Sequence, residues 1–247
     1  MQWRESDGVR WLEAELPGAT AAFSARTGGF SDGPFESLNL GVLTDDDEAT
    51  VRRNRARLCD ALGLDPASVL IGRQVHGAEL AEHRAAQSPS PFAQPGSEIP
   101  EVDGHVIREG GLAALVFVAD CLPVALAGDS GVAVLHCGWR GLAGGIVAAG
   151  AEAVGATHAA IGPGIGACCY EVGEEVLGAF SGLGPGIADG RMLDLAEVAR
   201  RLLTAAGVGE VEASGHCTSC EPELFYSHRR DGGVTGRQGG IVRAEGG

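Results

Sequence analysis

The sequence predicts a layered α/β fold, and three observations carry that expectation. Short apolar runs alternate with longer stretches of helical character along the whole chain. Glycine is abundant, at 40 of 247 residues, and divides the chain into many short elements without forming a low-complexity tract. The run Leu112 to Ala119 is almost unbroken in its apolar character, as expected of a strand buried on both faces.

Taken in order, Val9 to Leu16 and Thr20 to Ser24 read as strands. Arg26 to Phe35 is a turn-rich loop. Asp46 to Leu62 reads as a helix, its acidic start suited to the positive end of the helix dipole. Within it Arg55 reads as an ordinary helix residue. Val69 to Val75 is predicted as a strand ending just before His76, and Ala85 to Pro100, rich in Pro, Ser and Ala, as an exposed loop within a single domain spanning residues 1–247. After Leu112 to Ala119 come a strand over Val132 to Leu135, a helix over Leu142 to Val154 and a strand over Ala159 to Ile161. Helices over Glu174 to Phe180 and Leu193 to Ala206 follow, and strands over Val208 to Ala213 and Gly239 to Val242 close the chain.

Composition narrows the function classes. A hydrophobic fraction of 45% is ample for a core, and the longest apolar stretch, Leu112 to Leu126, is interrupted by Asp120 and Pro123, so no membrane span is expected. The N-terminus lacks the basic-then-apolar layout of a signal peptide, and a cytoplasmic location is the expectation. The formal charge of −15 and the absence of a basic stripe argue against nucleic acid as a partner. An anionic substrate would need a local basic pocket. Seven cysteines without an export signal read as reduced thiols and not as a disulfide framework.

Three segments bring metal-ligand side chains to the ends of apolar runs: Gln74-Val75-His76-Gly77, Asp120-Cys121-Leu122-Pro123 and His136-Cys137-Gly138-Trp139-Arg140-Gly141. Zinc accepts imidazole and thiolate together, and three protein ligands leave a fourth position for water or substrate. Spacing alone also permits His76 and His136 as hydrogen-bonded structural residues and Cys121 as a small core residue.

At these residues the sequence resembles the YfiH-like family, also called the laccase-domain or multicopper polyphenol oxidase family. The resemblance covers almost the whole chain. It runs from Arg26-x-Gly28-Gly29-x-Ser31 and Ser37-Leu38-Asn39-Leu40-Gly41 through Asn54-Arg55, the three segments above, Asp103-Gly104 and Ile161-Gly162-Pro163-x-Ile165. It continues through Cys169-Tyr170-Glu171-Val172 to Phe225-x-Ser227-x-Arg229-Arg230-Asp231 and Thr235-Gly236-Arg237. The resemblance implies an α-β-β-α sandwich with two sheets face to face, and a catalytic zinc held by His76, Cys121 and His136. It implies phosphorolysis of adenosine, inosine, guanosine and methylthioadenosine, with deamination of adenosine, so that the partners are a purine nucleoside and phosphate. Oligomeric state is not readable from it. Cys137 departs from the alanine frequent in the family; in an extended segment it points away from His136.

Around this set, Arg140 has two readings, anion binding or an ion pair closing its turn. Trp139 stacks on a purine or packs in the core, and Glu171 contacts substrate or lies on the surface. Asp120 supports a ligand histidine or acts as general base. Arg26 and Asn39 lie in loops that the resemblance places near the active site. Cys217-Thr-Ser-Cys220 with Cys168-Cys169 is disfavoured as a four-cysteine zinc site, because no second spaced CxxC exists.

Three other functions compete. A zinc hydrolase editing muramyl precursors would use the same ligands. A copper polyphenol oxidase needs paired histidine motifs, and the seven histidines form no His-x-His, leaving copper as an adventitious occupant in vitro. A non-enzymatic, metal-stabilised binding protein predicts a closed fourth ligand position.

Overall fold

The computed structural model describes residues 1–95 and 99–246. Its regular elements, among the described residues, run in this order. Strands β1 (Gln2–Ser6), β2 (Val9–Leu16) and β3 (Ala19–Ser24) precede helix α1 (Glu48–Leu62). Then come β4 (Val69–Leu70), β5 (Leu80–His83), β6 (Gly104–Ile107), β7 (Ala113–Val118), β8 (Leu122–Gly128) and β9 (Gly131–Cys137). Helices α2 (Trp139–Ala143) and α3 (Ile146–Val154), strand β10 (Ala156–Ile161) and helix α4 (Glu174–Ala179) follow. The chain ends with the β11–β12 pair (Ala188–Asp189, Met192–Leu193), α5 (Leu195–Ala205), β13 (Glu210–Ala213) and β14 (Gln238–Ala244).

Two six-stranded sheets result, in the orders β1-β2-β3-β14-β7-β4 and β13-β10-β8-β9-β6-β5. Side-chain alternation assigns the layers. In β7, Ala114, Val116 and Val118 point into the space between the sheets, while Ala113, Leu115 and Phe117 point outward under α1. In β9, Val132 and Val134 face the other sheet, while Ala133, Leu135 and Cys137 face the layer of α3 and α5. The order of layers is therefore α-β-β-α. Small residues dominate the inter-sheet face, Ala14, Ala21, Ala114, Ala125, Ala127 and Ala160 among them, which suits close approach of the sheets.

The helices follow local signals. Asp47 caps α1 by accepting from the Thr50 backbone N–H, and Gly63 ends it in the left-handed region at φ +63°. Asp194 caps α5 in the same way through Glu197.

Several expectations need correction. The helix expected over Leu142 to Val154 is two helices, because Gly144 and Gly145 break it and Gly145 adopts φ +89°. The strand expected over Val69 to Val75 stops at Leu70. Beyond it, side-chain amides replace a neighbouring strand: Gln87 pairs with both backbone groups of Ile71, and Gln74 with both of Phe117. The loop over Ala85 to Pro100 is not exposed throughout, since Ser90, Pro91 and Phe92 are buried; residues 96–98 lie outside the described residues. Phe92 is held there by Arg55, which is no ordinary helix residue. It is 2% exposed, donates to Leu40 O, Pro91 O and Phe92 O, and lies over the rings of Phe92 and Phe117. Strand β8 had no counterpart in the sequence reading, because Pro123 argues against a strand; it sits second in β8, where Pro is tolerated near a strand start.

Candidate metal centre

His76, Cys121 and His136 converge at one end of the sandwich, where their ligand atoms lie within 4.8 Å of one another. Each arrives by a different local device. His136 is the penultimate residue of β9 and shares the inter-sheet parity of Val132 and Val134. Cys121 occupies the sharp turn that reverses β7 into β8, immediately before Leu122, which pairs with Cys137. His76 is not at a strand end, as the sequence suggested, but in the loop after β4. Two of the three turns are strained: His76 has φ +62° and Asp120, beside Cys121, φ +92°. Non-glycine residues in the left-handed region persist where surrounding contacts over-determine them, and such positions cluster at functional sites.

For His76 that over-determination comes from Asp103, a fully buried carboxylate just before β6. Its Oδ1 accepts from the His76 backbone N–H (2.9 Å) and lies 2.7 Å from His136 Nδ1. Its Oδ2 accepts from the backbone N–H groups of Val75 (3.0 Å) and Gly77 (2.8 Å). One side chain thus fixes the His76 loop and orients the His136 ring, leaving Nε2 toward Cys121. In the sequence Asp103 stands out only as part of a motif, with no site role of its own. Its signal there is weak: a single carboxylate ahead of a four-residue apolar strand.

Burial alone would raise the Cys121 thiol, but the charge and hydrogen bonds of His136, and then those of His76, bring it down to about 6. Against the lowering effect of burial, Cys121 and Asp103 raise His136 to about 9. Metal binding takes the thiolate and the neutral imidazole, so an ion entering here displaces the proton that Cys121 and Asp103 hold on His136. Gly138 is the close neighbour that makes room: a Cβ there would sit 3.0 Å from Cys121 Sγ and 3.3 Å from His76 Cδ2. Two imidazoles and one thiolate within this span fit zinc on donor chemistry, and the exposure of His76 opens the group to solvent on one side.

The other expected residues divide into two groups. Arg140 lies in the first turn of α2, four residues beyond His136. It is exposed, its guanidinium lies 4.5 Å over the Trp139 ring, and among the described residues it makes no ion pair. Trp139 packs against the core beneath α2. Asp120 touches no ligand histidine: its oxygens accept from Thr218 Oγ1 (2.6 Å) and the Arg229 backbone N–H (2.7 Å). It therefore shapes the Cys121 turn, and the carboxylate that supports a ligand histidine is Asp103.

Asn39 is fully buried, bonded to Thr44, Asp46, Gly41 and the Arg237 backbone N–H, and so braces a loop. Arg26 is pinned to Glu36 O and Pro222 O and lies over Tyr226. Glu171 is exposed and paired with Arg191.

Sequence reasoning missed Tyr170, Arg229 and Arg237 as site residues. Burial, then the charge of Cys121, raises the Tyr170 phenol to about 12, with Arg229 and Arg140 acting in the opposite direction. Burial lowers Arg237, whose charge also feels Cys121 and Asp120. The Arg229 guanidinium lies 5.3 Å over the Tyr170 ring and donates to Glu171 O, and that of Arg237 donates to Thr235 O and Gly236 O.

Residues 20–245 match the family described as multi-copper polyphenol oxidoreductase laccase. Purine nucleoside phosphorylase YlmD of Geobacillus stearothermophilus is 36% identical, with 92% of each chain covered. A purine nucleoside phosphorylase of Deinococcus radiodurans is 40% identical over 95% of this chain and 93% of its own. The crystal structure of YlmD from Geobacillus stearothermophilus superposes with a TM-score of 0.88 at 35% identity, covering 98% of both chains. That of the Bacillus licheniformis protein YfiH gives 0.87 at 32% identity, covering 98% of this chain and 99% of that one. Together with the two-sheet architecture, these likenesses establish that the chain belongs to the YfiH-like, laccase-domain family.

Proposed function

We propose that this chain is a zinc-dependent purine nucleoside phosphorylase, acting on adenosine, inosine, guanosine and methylthioadenosine, with adenosine deamination as a second activity. The observation that carries the proposal is the open three-donor group of His76, Cys121 and His136; four residues beyond His136, at the start of α2, the Arg140 guanidinium has no carboxylate partner among the described residues. The names of the relatives supply the substrate class.

Zinc bound by His76, Cys121 and His136 supplies a Lewis acid that polarises a coordinated group. The rest follows from the chain itself. In phosphorolysis a phosphate oxygen bonds to ribose C1′ as the bond to the purine nitrogen breaks. A doubly charged phosphate must be held against an acidic protein, and Arg140, with Arg229 and Arg237 nearby, meets that need. Asp103 holds both histidines in place before substrate arrives, so little reorganisation accompanies the reaction.

Two imidazoles and a thiolate also suit copper, so the metal is part of the test. The proposal is checked by incubating zinc-loaded protein with adenosine and phosphate and separating adenine from inosine. Adenine formation that requires phosphate is expected, and both His76→Ala and Cys121→Ala should abolish it. Unchanged turnover in both variants, turnover only of muramyl-amino-acid precursors, or activity only with copper and a phenol would overturn it.

A further inference from the structure

A second group of metal-binding side chains lies outside this centre. Cys168 and Cys169 sit on the turn that follows β10, and Cys217 and Cys220 on the turn that follows β13. Spacing along the chain disfavours them as one site, but the parallel pairing of β10 with β13 delivers both turns to the same end of the sheet. All four sulfurs lie within 4.8 Å of one another, and Cys220 Sγ is 3.4 Å from both Cys168 Sγ and Cys169 Sγ. We propose that Cys168, Cys169, Cys217 and Cys220 bind a second, structural zinc ion.

The distances support it. A zinc–sulfur bond of about 2.3 Å in a tetrahedron puts the sulfurs about 3.8 Å apart, within the observed spread. Adjacent cysteines on an extended strand would point apart, but here a hydrogen-bonded turn, with the N–H groups of Cys169 and Tyr170 on Gly166 O, turns both toward Cys220. The Cys217–Cys220 turn closes the same way, through Cys220 N–H and Glu221 N–H on Cys217 O. Gly166 completes the pocket. Its N–H donates to Cys217 Sγ at 3.2 Å, and a Cβ there would lie 3.3 Å from Cys168 Sγ and 3.4 Å from Cys217 Sγ. A backbone N–H directed at sulfur favours the thiolate form that zinc requires.

The position gives the ion a role. Thr218, between the two cysteines of the second pair, donates to Asp120 Oδ1, and its backbone N–H donates to Gly164 O. Ile165, three residues before Cys168, donates its N–H to Asp120 O. A zinc clamp across the two turns therefore braces the strained Asp120–Cys121 turn from behind.

The test is metal counting on the full chain, expressed with zinc and purified under a thiol reductant. Two zinc ions per chain are expected. Cys168→Ser with Cys220→Ser should remove one, and His76→Ala with Cys121→Ala the other. Because the serine variants can misfold, cobalt is also loaded into His76→Ala/Cys121→Ala protein, where the intense thiolate-to-cobalt absorption of an all-sulfur site is expected. One zinc per chain in the wild type, two retained in the folded serine variant, no such cobalt band, or a disulfide among the four cysteines under these conditions would each overturn the proposal.

Discussion

At the scale of single residues, the centre depends on one thiol and one carboxylate. In metal-free protein Cys121 is ionised down to about pH 6, since His136 and His76 offset its burial. Its depressed value stabilises the apo fold at higher pH, and that contribution is lost as pH falls through about 6. The raised value of His136 adds stability at lower pH that is lost as pH rises through about 9. Iodoacetamide labelling of Cys121, followed by peptide mass spectrometry on chelator-stripped protein, should show a midpoint near 6; a midpoint in the ordinary thiol range would refute the ion pair. Asp103→Ala leaves three backbone N–H groups and the His136 Nδ1–H without their acceptor. Loss of such a supporting partner should weaken zinc binding by about 10–100-fold, read by competition with a chromogenic chelator. The donors themselves were legible in the sequence through their residue types and ordered motifs. Asp103 was not, because nothing local in a lone carboxylate shows that it will be buried against two histidines.

At the scale of elements, glycines and turns decide where side chains meet. Gly138→Ala should leave the unfolding midpoint nearly unchanged yet weaken zinc binding, because the new methyl meets Cys121 Sγ at 3.0 Å. Gly178→Ala in α4 is the contrasting substitution. Its Cβ meets nothing within 4 Å, and it should stabilise the fold by about 0.5–1 kcal/mol in urea titrations. Long elements with clear periodicity, α1, α5, β2 and β7, were readable from sequence because each carries its own pattern or cap. Others were not. β1 is polar and partly exposed at a sheet edge, β5 and β6 have four residues each, and the segment after β4 uses side-chain amides where a strand partner would be expected.

At the scale of the whole molecule, three apolar clusters join the four layers, and the site sits where strand ends and loops from both sheets meet. Leu115 faces α1 and Leu126 faces the α3 and α5 layer, yet each strand also contributes to the space between the sheets. Leu115→Ala and Leu126→Ala should therefore each cost about 2–5 kcal/mol, within a single cooperative transition seen alike by circular dichroism and tryptophan fluorescence. Separate transitions would show that the layers unfold independently.

The most direct test of a zinc-dependent phosphorylase follows adenine release from adenosine as zinc is removed and restored. Chelator-stripped protein should lose phosphate-dependent release, and added zinc should return it in wild-type protein but not in Cys121→Ala. Release that persists in stripped protein, or that zinc restores equally in Cys121→Ala, would contradict the role assigned to His76, Cys121 and His136.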